Sequence, residues 1–237
     1  MISLRLANLR DVGGLPVSGG GRTRAGVLYR SDAPYAGDRD PDQVRIWPPG
    51  VVIDLRSEGE VARRPYSWAE GTVVHYHPLH SDAAPGRLPP DADLIALYTL
   101  ILETAADRVA AVASLVAEAS GPVLVHCAAG KDRTGIVVAA LLLAADVEPE
   151  AVVADYVATA ANMPALRQRW TAHRVRGTSG RAIPEGWLAA PESAITSVVE
   201  RIAGWPGGAR RWWADHGADP GHLEAWRTRL VEPSAAG

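Results

Sequence analysis

The 237-residue sequence has no phenylalanine, one cysteine and one lysine. A single cysteine excludes any intramolecular disulfide. Apart from Lys131 the basic residues are all arginine, and they do not outnumber the acidic ones: the formal net charge is −3. That balance excludes a broad nucleic-acid-binding surface, so any positive potential must be local. Long hydrophobic runs are also missing. The longest, residues 136–145, is too short to span a bilayer, so no stable membrane insertion is expected. Residues 1–10 lack the apolar centre of a signal peptide, so a cytoplasmic location is expected, with export by another route left open. There is no internal repeat and no low-complexity tract. With 47% hydrophobic residues the chain can bury one substantial core, and eight tryptophans take over aromatic packing in place of phenylalanine.

Against this background one segment stands out, His126-Cys127-Ala128-Ala129-Gly130-Lys131-Asp132-Arg133-Thr134-Gly135. It lies between a strand-like run, Val123-Leu124-Val125, and the apolar helix-like run that starts at Ile136. A lone cysteine is usually a small buried hydrophobe. Here it stands where a strand turns into a helix, and backbone N–H groups of such a turn converge on one point and attract an anion. Arg133 can add a planar two-pronged contact to two phosphate oxygens. The same potential favours Cys127 as a thiolate, a nucleophile facing the bound phosphoryl group. Phosphate, or another oxyanion, is the ligand this loop predicts, and a phosphocysteine is the intermediate.

Around the loop, residues 27–30, 51–55, 73–77 and 123–127 read as short strands. Residues 91–103 carry a helical stripe of Leu94, Leu97, Tyr98, Ile101 and Leu102, and 107–119 repeat the pattern. Residues 133–144 are apolar nearly throughout, as in a buried helix. Pro149 introduces a helix over 150–161. Residues 167–186 read as loop-rich, and 192–203, 209–215 and 221–231 as three short helices. The alternation predicts an α/β fold with a mainly parallel central sheet flanked by helices, the loop at a strand's C-terminal end, and a helical C-terminal part. The expected organisation is a single domain, 1–160 being the catalytic core and 161–237 a helical extension packed on it.

The His-Cys-x5-Arg-Thr run resembles the signature of the protein tyrosine phosphatase superfamily, and more narrowly its bacterial branch of mycobacterial type. Four further segments carry the likeness in matching order: Asn8-Leu9-Arg10-Asp11-Val12-Gly13-Gly14; Leu28-Tyr29-Arg30-Ser31; Asp54-Leu55-Arg56-Ser57 with Glu60-Val61-Ala62-Arg63-Arg64; and Ala154-Asp155-Tyr156. The resemblance implies a tyrosine-phosphatase-like fold and a cysteine-dependent phosphatase with Cys127 as nucleophile and Arg133 as clamp. Ala128, Ala129, Gly130, Lys131, Thr134 and Gly135 then complete the phosphate-binding loop. Thr134 can donate to the sulfur, and His126 braces the loop. No cofactor and no metal is required.

The general acid is the open assignment. In many relatives of the superfamily it stands some thirty residues before the cysteine, where Asp82, Asp91 and Asp93 lie. The plain role of Asp91 and Asp93 is to cap a helix. Asp82 follows a strand and can face the pocket. The resembled branch credits the aspartate inside the loop, here Asp132. An ionised carboxylate there repels a phosphate dianion, so its presence makes sense chiefly as a proton donor, which puts Asp132 ahead of Asp82. Asp54 and Arg56 read as an ion pair between loops, Arg63 and Arg64 as a solvated face, and His75 and His77 as one strand face without a clear third metal ligand.

The expected substrate is a phosphorylated protein, with phosphotyrosine first and broad specificity possible. A phosphoinositide is the alternative, because Lys131 adds charge for multiply phosphorylated rings. Lys131 has a second reading, lowering the pKa of Cys127 by proximity. A phosphate-binding pseudophosphatase is the alternative of another class, although such proteins normally lose the cysteine, the arginine or the acid. Rhodanese-like or arsenate chemistry also uses a cysteine loop, but arsenate reduction usually needs a second cysteine.

Overall fold

The computed structural model describes residues 5–79, 92–173 and 188–234. Along them run seven strands: β1 (Arg10–Asp11), β2 (Arg22–Thr23), β3 (Leu28–Ser31), β4 (Val51–Asp54), β5 (Val73–Tyr76), β6 (Val123–His126) and β7 (Val231–Glu232). The helices described are α1 (Glu58–Arg63), α2 (Leu94–Thr104), α3 (Ala106–Ala117), α4 (Asp132–Ala144), α5 (Pro149–Val157), α6 (Thr159–Ala172), α7 (Glu192–Ala203), α8 (Gly208–Asp215) and α9 (Pro220–Leu230).

Five strands form one sheet in the order β1-β3-β6-β4-β5, parallel throughout except for β1 against β3. The interior strands β4 and β6 are buried along their whole length, and their apolar runs Val51-Val52-Ile53 and Val123-Leu124-Val125 suit strands covered on both faces, each ending on a polar residue, Asp54 or His126. The register aligns Ser31 with His126 and His126 with Asp54. The chain therefore leaves β3, β4 and β6 at one edge, bringing Asp32, Leu55 and Cys127 together at the C-terminal ends of parallel strands, where open α/β sheets build their sites.

One face of the sheet carries nearly all the helices. α4 is buried from Arg133 to Ala144 and packs on β6 and β3, with α3, α5, α7 and α8 around it. The same hydrophobic cluster continues through Ile195, Val198, Trp212, Trp213 and Trp226 of the C-terminal helices. The indole N–H groups of Trp213 and Trp226 donate to the α4 carbonyls of Ala140 and Leu141 at 3.1 and 2.9 Å. Pairing of β2 with β7 ties the end of α9 to the N-terminal segment. The opposite face is smaller and is closed by loops: Leu6, Leu9, Tyr29, Val52 and Leu124 are covered by Val44, Trp47, Trp68 and Val74.

Several elements differ from the expectation: the two-residue strands β1, β2 and β7 and the helix α1 are additional to it, and α6 runs further than expected. α1 was not anticipated; Ser57 and Glu60 form a reciprocal capping box at its start, a signal present in the spacing Ser57-x-x-Glu60. The stretch read as loop-rich from residue 167 is helical as far as Ala172, because α6 follows α5 almost without a break. α6 has little apolar periodicity. Buried Met163 and Leu166 anchor it, and its Arg169 guanidinium pairs with Asp32 and Asp38, each at 2.9 Å. Tertiary pairing of one arginine thus overrides a weak helical pattern. Among the described residues no helix is long and apolar enough to cross a membrane.

Candidate active site

Cys127 follows β6 directly, is 1% exposed and is a free thiol. The shape of the loop after it is set by its carbonyl groups. The Ala128 carbonyl accepts from the amide of Ala33 at 3.3 Å. Asn8 Nδ2 donates to the carbonyls of Ala129 and Gly130 at 3.1 and 3.0 Å, and Arg30 Nη2 donates to Gly130 at 3.0 Å. With the carbonyls turned into the protein, the amides face the other way. Among the described residues none of the amides of 128–134 meets a protein acceptor; the last three are the first-turn donors of α4, which have no intrahelical partner. Gly130 has φ +67, and a Cβ there would lie 2.3 Å from the Ser31 carbonyl. Only glycine fits that turn.

The surrounding elements hold this loop through buried charge. Asp155 of α5 binds Arg30 and Arg10 at 2.5 and 2.8 Å. Burial opposes the charge on Asp155, yet the two guanidinium groups outweigh it and hold its pKa below the ordinary value. Arg133, in the first turn of α4, is gripped by Glu60 of α1 through two parallel bonds, Nη1 to Oε2 at 2.5 Å and Nη2 to Oε1 at 2.8 Å. Burial works against the Arg133 charge, but Glu60, Cys127 and Asp132 together raise its pKa above the usual arginine value. Glu60 is driven down to about 2, because Arg133 and the Ser57 N–H overcome its burial. Arg133 is therefore a fixed cation in a preset orientation, one that feels the field of Cys127.

Asp132 opens α4, and its side chain is 27% exposed. Its Oδ1 accepts from Lys131 Nζ at 2.5 Å and from Tyr98 Oη at 2.8 Å. Tyr98 Oη in turn lies 2.6 Å from Tyr156 Oη. Lys131 is 1% exposed, so its ammonium is spent on Asp132 rather than held out toward a second phosphate. His126 is fully buried between Asp54, 3.7 Å from its Nε2, and Trp68; burial lowers its pKa, which suits a neutral packing wedge. Its bond to the Cys127 carbonyl is long, at 3.5 Å.

Two loop positions act differently from their expected roles. Gly135 gives its amide to the Lys131 carbonyl at 2.7 Å, and a Cβ on it would meet the Tyr156 ring at 2.9 Å. Its contribution is packing, because the helix has already claimed its N–H. Thr134 Oγ1 is buried and has no hydrogen bond among the described residues, so the bond to the Cys127 sulfur is not formed here. Asp82 lies outside the described residues, as does Asp91; Asp93 caps α2 through the Ala96 amide at 2.8 Å. Asp54 and Arg56 form the expected pair at 2.6 Å, and Arg56 continues to the Arg64 carbonyl at the end of α1. Arg64 itself donates to the His173 carbonyl at 2.6 Å. His77 is engaged by the Arg108 carbonyl at 2.6 Å.

A cysteine at the end of a central parallel strand, outward-facing amides and a locked arginine at a helix start define an oxyanion-binding loop of the cysteine–arginine class. The chain belongs to the tyrosine phosphatase family, whose model matches residues 3–232. It is 32% identical over 167 residues to a putative tyrosine-protein phosphatase of Cupriavidus necator, a match covering 64% of this chain and 60% of that protein. It is 33% identical over 198 residues to the triple specificity protein phosphatase PtpB of Mycobacterium tuberculosis, covering 68% and 70%. Among solved structures, P. aeruginosa TpbA aligns at 20% identity and a TM-score of 0.31, over 55% of this chain and 68% of that one. The segments Asn8–Gly14, Leu28–Ser31, Asp54–Arg64 and Ala154–Tyr156 noted in the sequence are the ones whose side chains hold the loop.

Proposed function

We propose that the chain is a phosphoester hydrolase working through a phosphocysteine, with phosphotyrosine in proteins as first substrate and a broad range beyond it. The observation that carries this reading is the loop itself: seven successive amides without protein acceptors among the described residues, beside Cys127 and a preset Arg133. Preorganised donors of this kind stabilise the charge that gathers on a transferring phosphoryl group. In the first step the Cys127 sulfur forms a bond to phosphorus as the bond to the leaving oxygen breaks. Asp132 gives that oxygen its proton. Water then attacks phosphorus, the S–P bond breaks, and the proton of the water returns to Asp132.

Broad specificity draws support from the triple specificity in the name of the mycobacterial relative. The charge argument for phosphoinositides is weaker than the sequence implied, since the Lys131 ammonium is already bound to Asp132. A free thiol nucleophile suits a reducing compartment, in line with a cytoplasmic site of action. The whole chain acts as one unit in this reading, with the C-terminal helices completing the core behind α4. The test is a turnover panel without added metal, comparing phosphotyrosine peptide, phosphoserine peptide and phosphoinositide. Highest kcat/KM on the phosphotyrosine peptide is expected. Binding of vanadate with no turnover on any substrate would make the chain a phosphate-binding module instead.

A further inference from the structure

Tyr98 belongs to the apolar stripe of α2 and is fully buried, yet its hydroxyl is not idle. It donates to Asp132 Oδ1 at 2.8 Å and stands 2.6 Å from Tyr156 Oη. Each phenol has one proton. With the Tyr98 proton committed to Asp132, the short contact behind it must be Tyr156 donating to Tyr98. The chain of donors therefore runs Tyr156 to Tyr98 to Asp132, and polarisation along it strengthens the last bond. Both phenols have pKa values above the ordinary range, Tyr98 by burial and the nearby Asp132 charge, Tyr156 by burial and the same charge. They remain donors wherever the protein works. The rings are fixed edge to face at 6.2 Å, and Tyr156 is wedged against Gly135 in the first turn of α4.

This arrangement distinguishes the two oxygens of Asp132. Oδ1 accepts from both Lys131 and Tyr98, and among the described residues Oδ2 has no hydrogen bond. We propose that Tyr98, backed by Tyr156, is a positioning residue that reserves Oδ1 as the acceptor and makes Oδ2 the atom that carries the proton to the leaving oxygen. The proposal rests on Asp132 being the general acid. As the Oδ2–H bond breaks toward the leaving oxygen, negative charge grows on the carboxylate. The bonds from Tyr98 and Lys131 to Oδ1 then become charge-assisted and strengthen. Tyr98 thus acts in the step that forms the phosphocysteine, without touching substrate. Two aromatic residues on separate helices are coupled in this way to one loop carboxylate.

The test is Tyr98→Phe, which keeps the ring and removes the hydroxyl, measured with a series of aryl phosphates of rising leaving-group pKa. Loss of about tenfold in kcat is expected on the poorest leaving groups and little on activated ones, since acid catalysis matters only where the oxygen needs a proton. Vanadate affinity should stay within about twofold, because the loop amides bind the oxyanion. The basic limb of the pH–rate profile should also move to higher pH, because the carboxylate has lost a donor. Tyr156→Phe should give the same signature at smaller size; it keeps the proposal testable if Tyr98→Phe does not fold. Equal loss on all leaving groups with an unmoved pH profile would show a structural role only. Asp132→Asn separates the two readings. If it lacks leaving-group dependence, the acid assignment fails and the positioning role falls with it. If Asp132→Asn shows the dependence and neither tyrosine variant does, the positioning role alone is wrong.

Discussion

The pair between Glu60 and Arg133 gives the sharpest forecast, because one carboxylate serves both stability and the clamp. Its Oε2 accepts from Arg133 Nη1 and from the Ser57 amide at 2.8 Å, so Glu60 ends the capping box of α1 while orienting the arginine of α4. Glu60 is shifted from the ordinary 4.5 to about 2. Each pH unit of separation corresponds to about 1.4 kcal/mol, so the shift stabilises the fold by roughly 3 kcal/mol at neutral pH. The sign follows from the direction. A carboxyl whose folded value is depressed binds more protons unfolded than folded, so its stabilisation is complete above about 4.5 and is lost as pH falls toward 2.

Glu60→Gln removes this charge while keeping size, and leaves Arg133 buried opposite a neutral amide. The expected cost is about 3 kcal/mol at pH 7, or about 6–12 °C in Tm for a domain of this size. The difference from the parent should shrink as pH is lowered from 4.5 toward 2, because the parent loses its own pair there. Urea titrations at several pH values measure it. Turnover should fall by roughly a hundredfold as Arg133 loses its fixed orientation. Ser57→Ala is the control: it removes the cap bond to the Glu60 amide, should cost about 1 kcal/mol and should leave turnover near normal. Equal stability of Glu60→Gln and its parent at pH 7, with the same acid sensitivity, would refute the argument.

Other substitutions separate the parts of the loop. Cys127→Ser should keep vanadate binding and lose turnover, since an alkoxide is far harder to form than a thiolate; residual hydrolysis within about tenfold of the parent would sink the phosphocysteine step. Gly130→Ala forces a Cβ into the Ser31 carbonyl at positive φ and should abolish vanadate binding while circular dichroism remains native. Lys131→Ala should affect all substrates alike, because its ammonium lies on Asp132; a loss confined to phosphoinositides in a kinetic panel would show that the lysine reads a second phosphate.

What was legible in the sequence was local. The loop, the buried α4 and the four strands of residues 27–30, 51–55, 73–77 and 123–127 follow from spacing, β-branched runs and a helix start. The supports of the site join residues far apart in the chain: Glu60 with Arg133, Asn8 with Gly130, Arg30 with Asp155. No periodicity carries such pairings, and the family resemblance supplied their segments without their roles. Tyr98 read as one more apolar position of α2 because burial and helical phase do not reveal where a hydroxyl points. The reach of α6 past residue 167 was equally invisible, since beyond buried Met163 and Leu166 its hold is Arg169 on Asp32 and Asp38.

The charges around the loop bear on how the proposed site would attract an anion. Arg10, Arg30, Arg56, Lys131 and Arg133 lie close to it, and each is paired with a carboxylate: Asp155 takes the first two, and Asp54, Asp132 and Glu60 the others. Five cations thus face four carboxylates, which leaves at most one positive charge unmatched. A net positive patch is therefore not the source of binding, which agrees with a chain of net charge −3. In the proposed reading the attraction comes from the oriented amides of 128–134 and from the first turn of α4, whose field is short-ranged and fixed by the carbonyl bonds from Asn8, Arg30 and Ala33. Short-range dipoles within the site are screened far less than distant surface charges. Vanadate affinity should accordingly change by less than about threefold between 0.05 and 0.5 M salt, roughly what residual screening allows. A steep salt dependence would place the attraction in unpaired side-chain charge and contradict the loop-centred account.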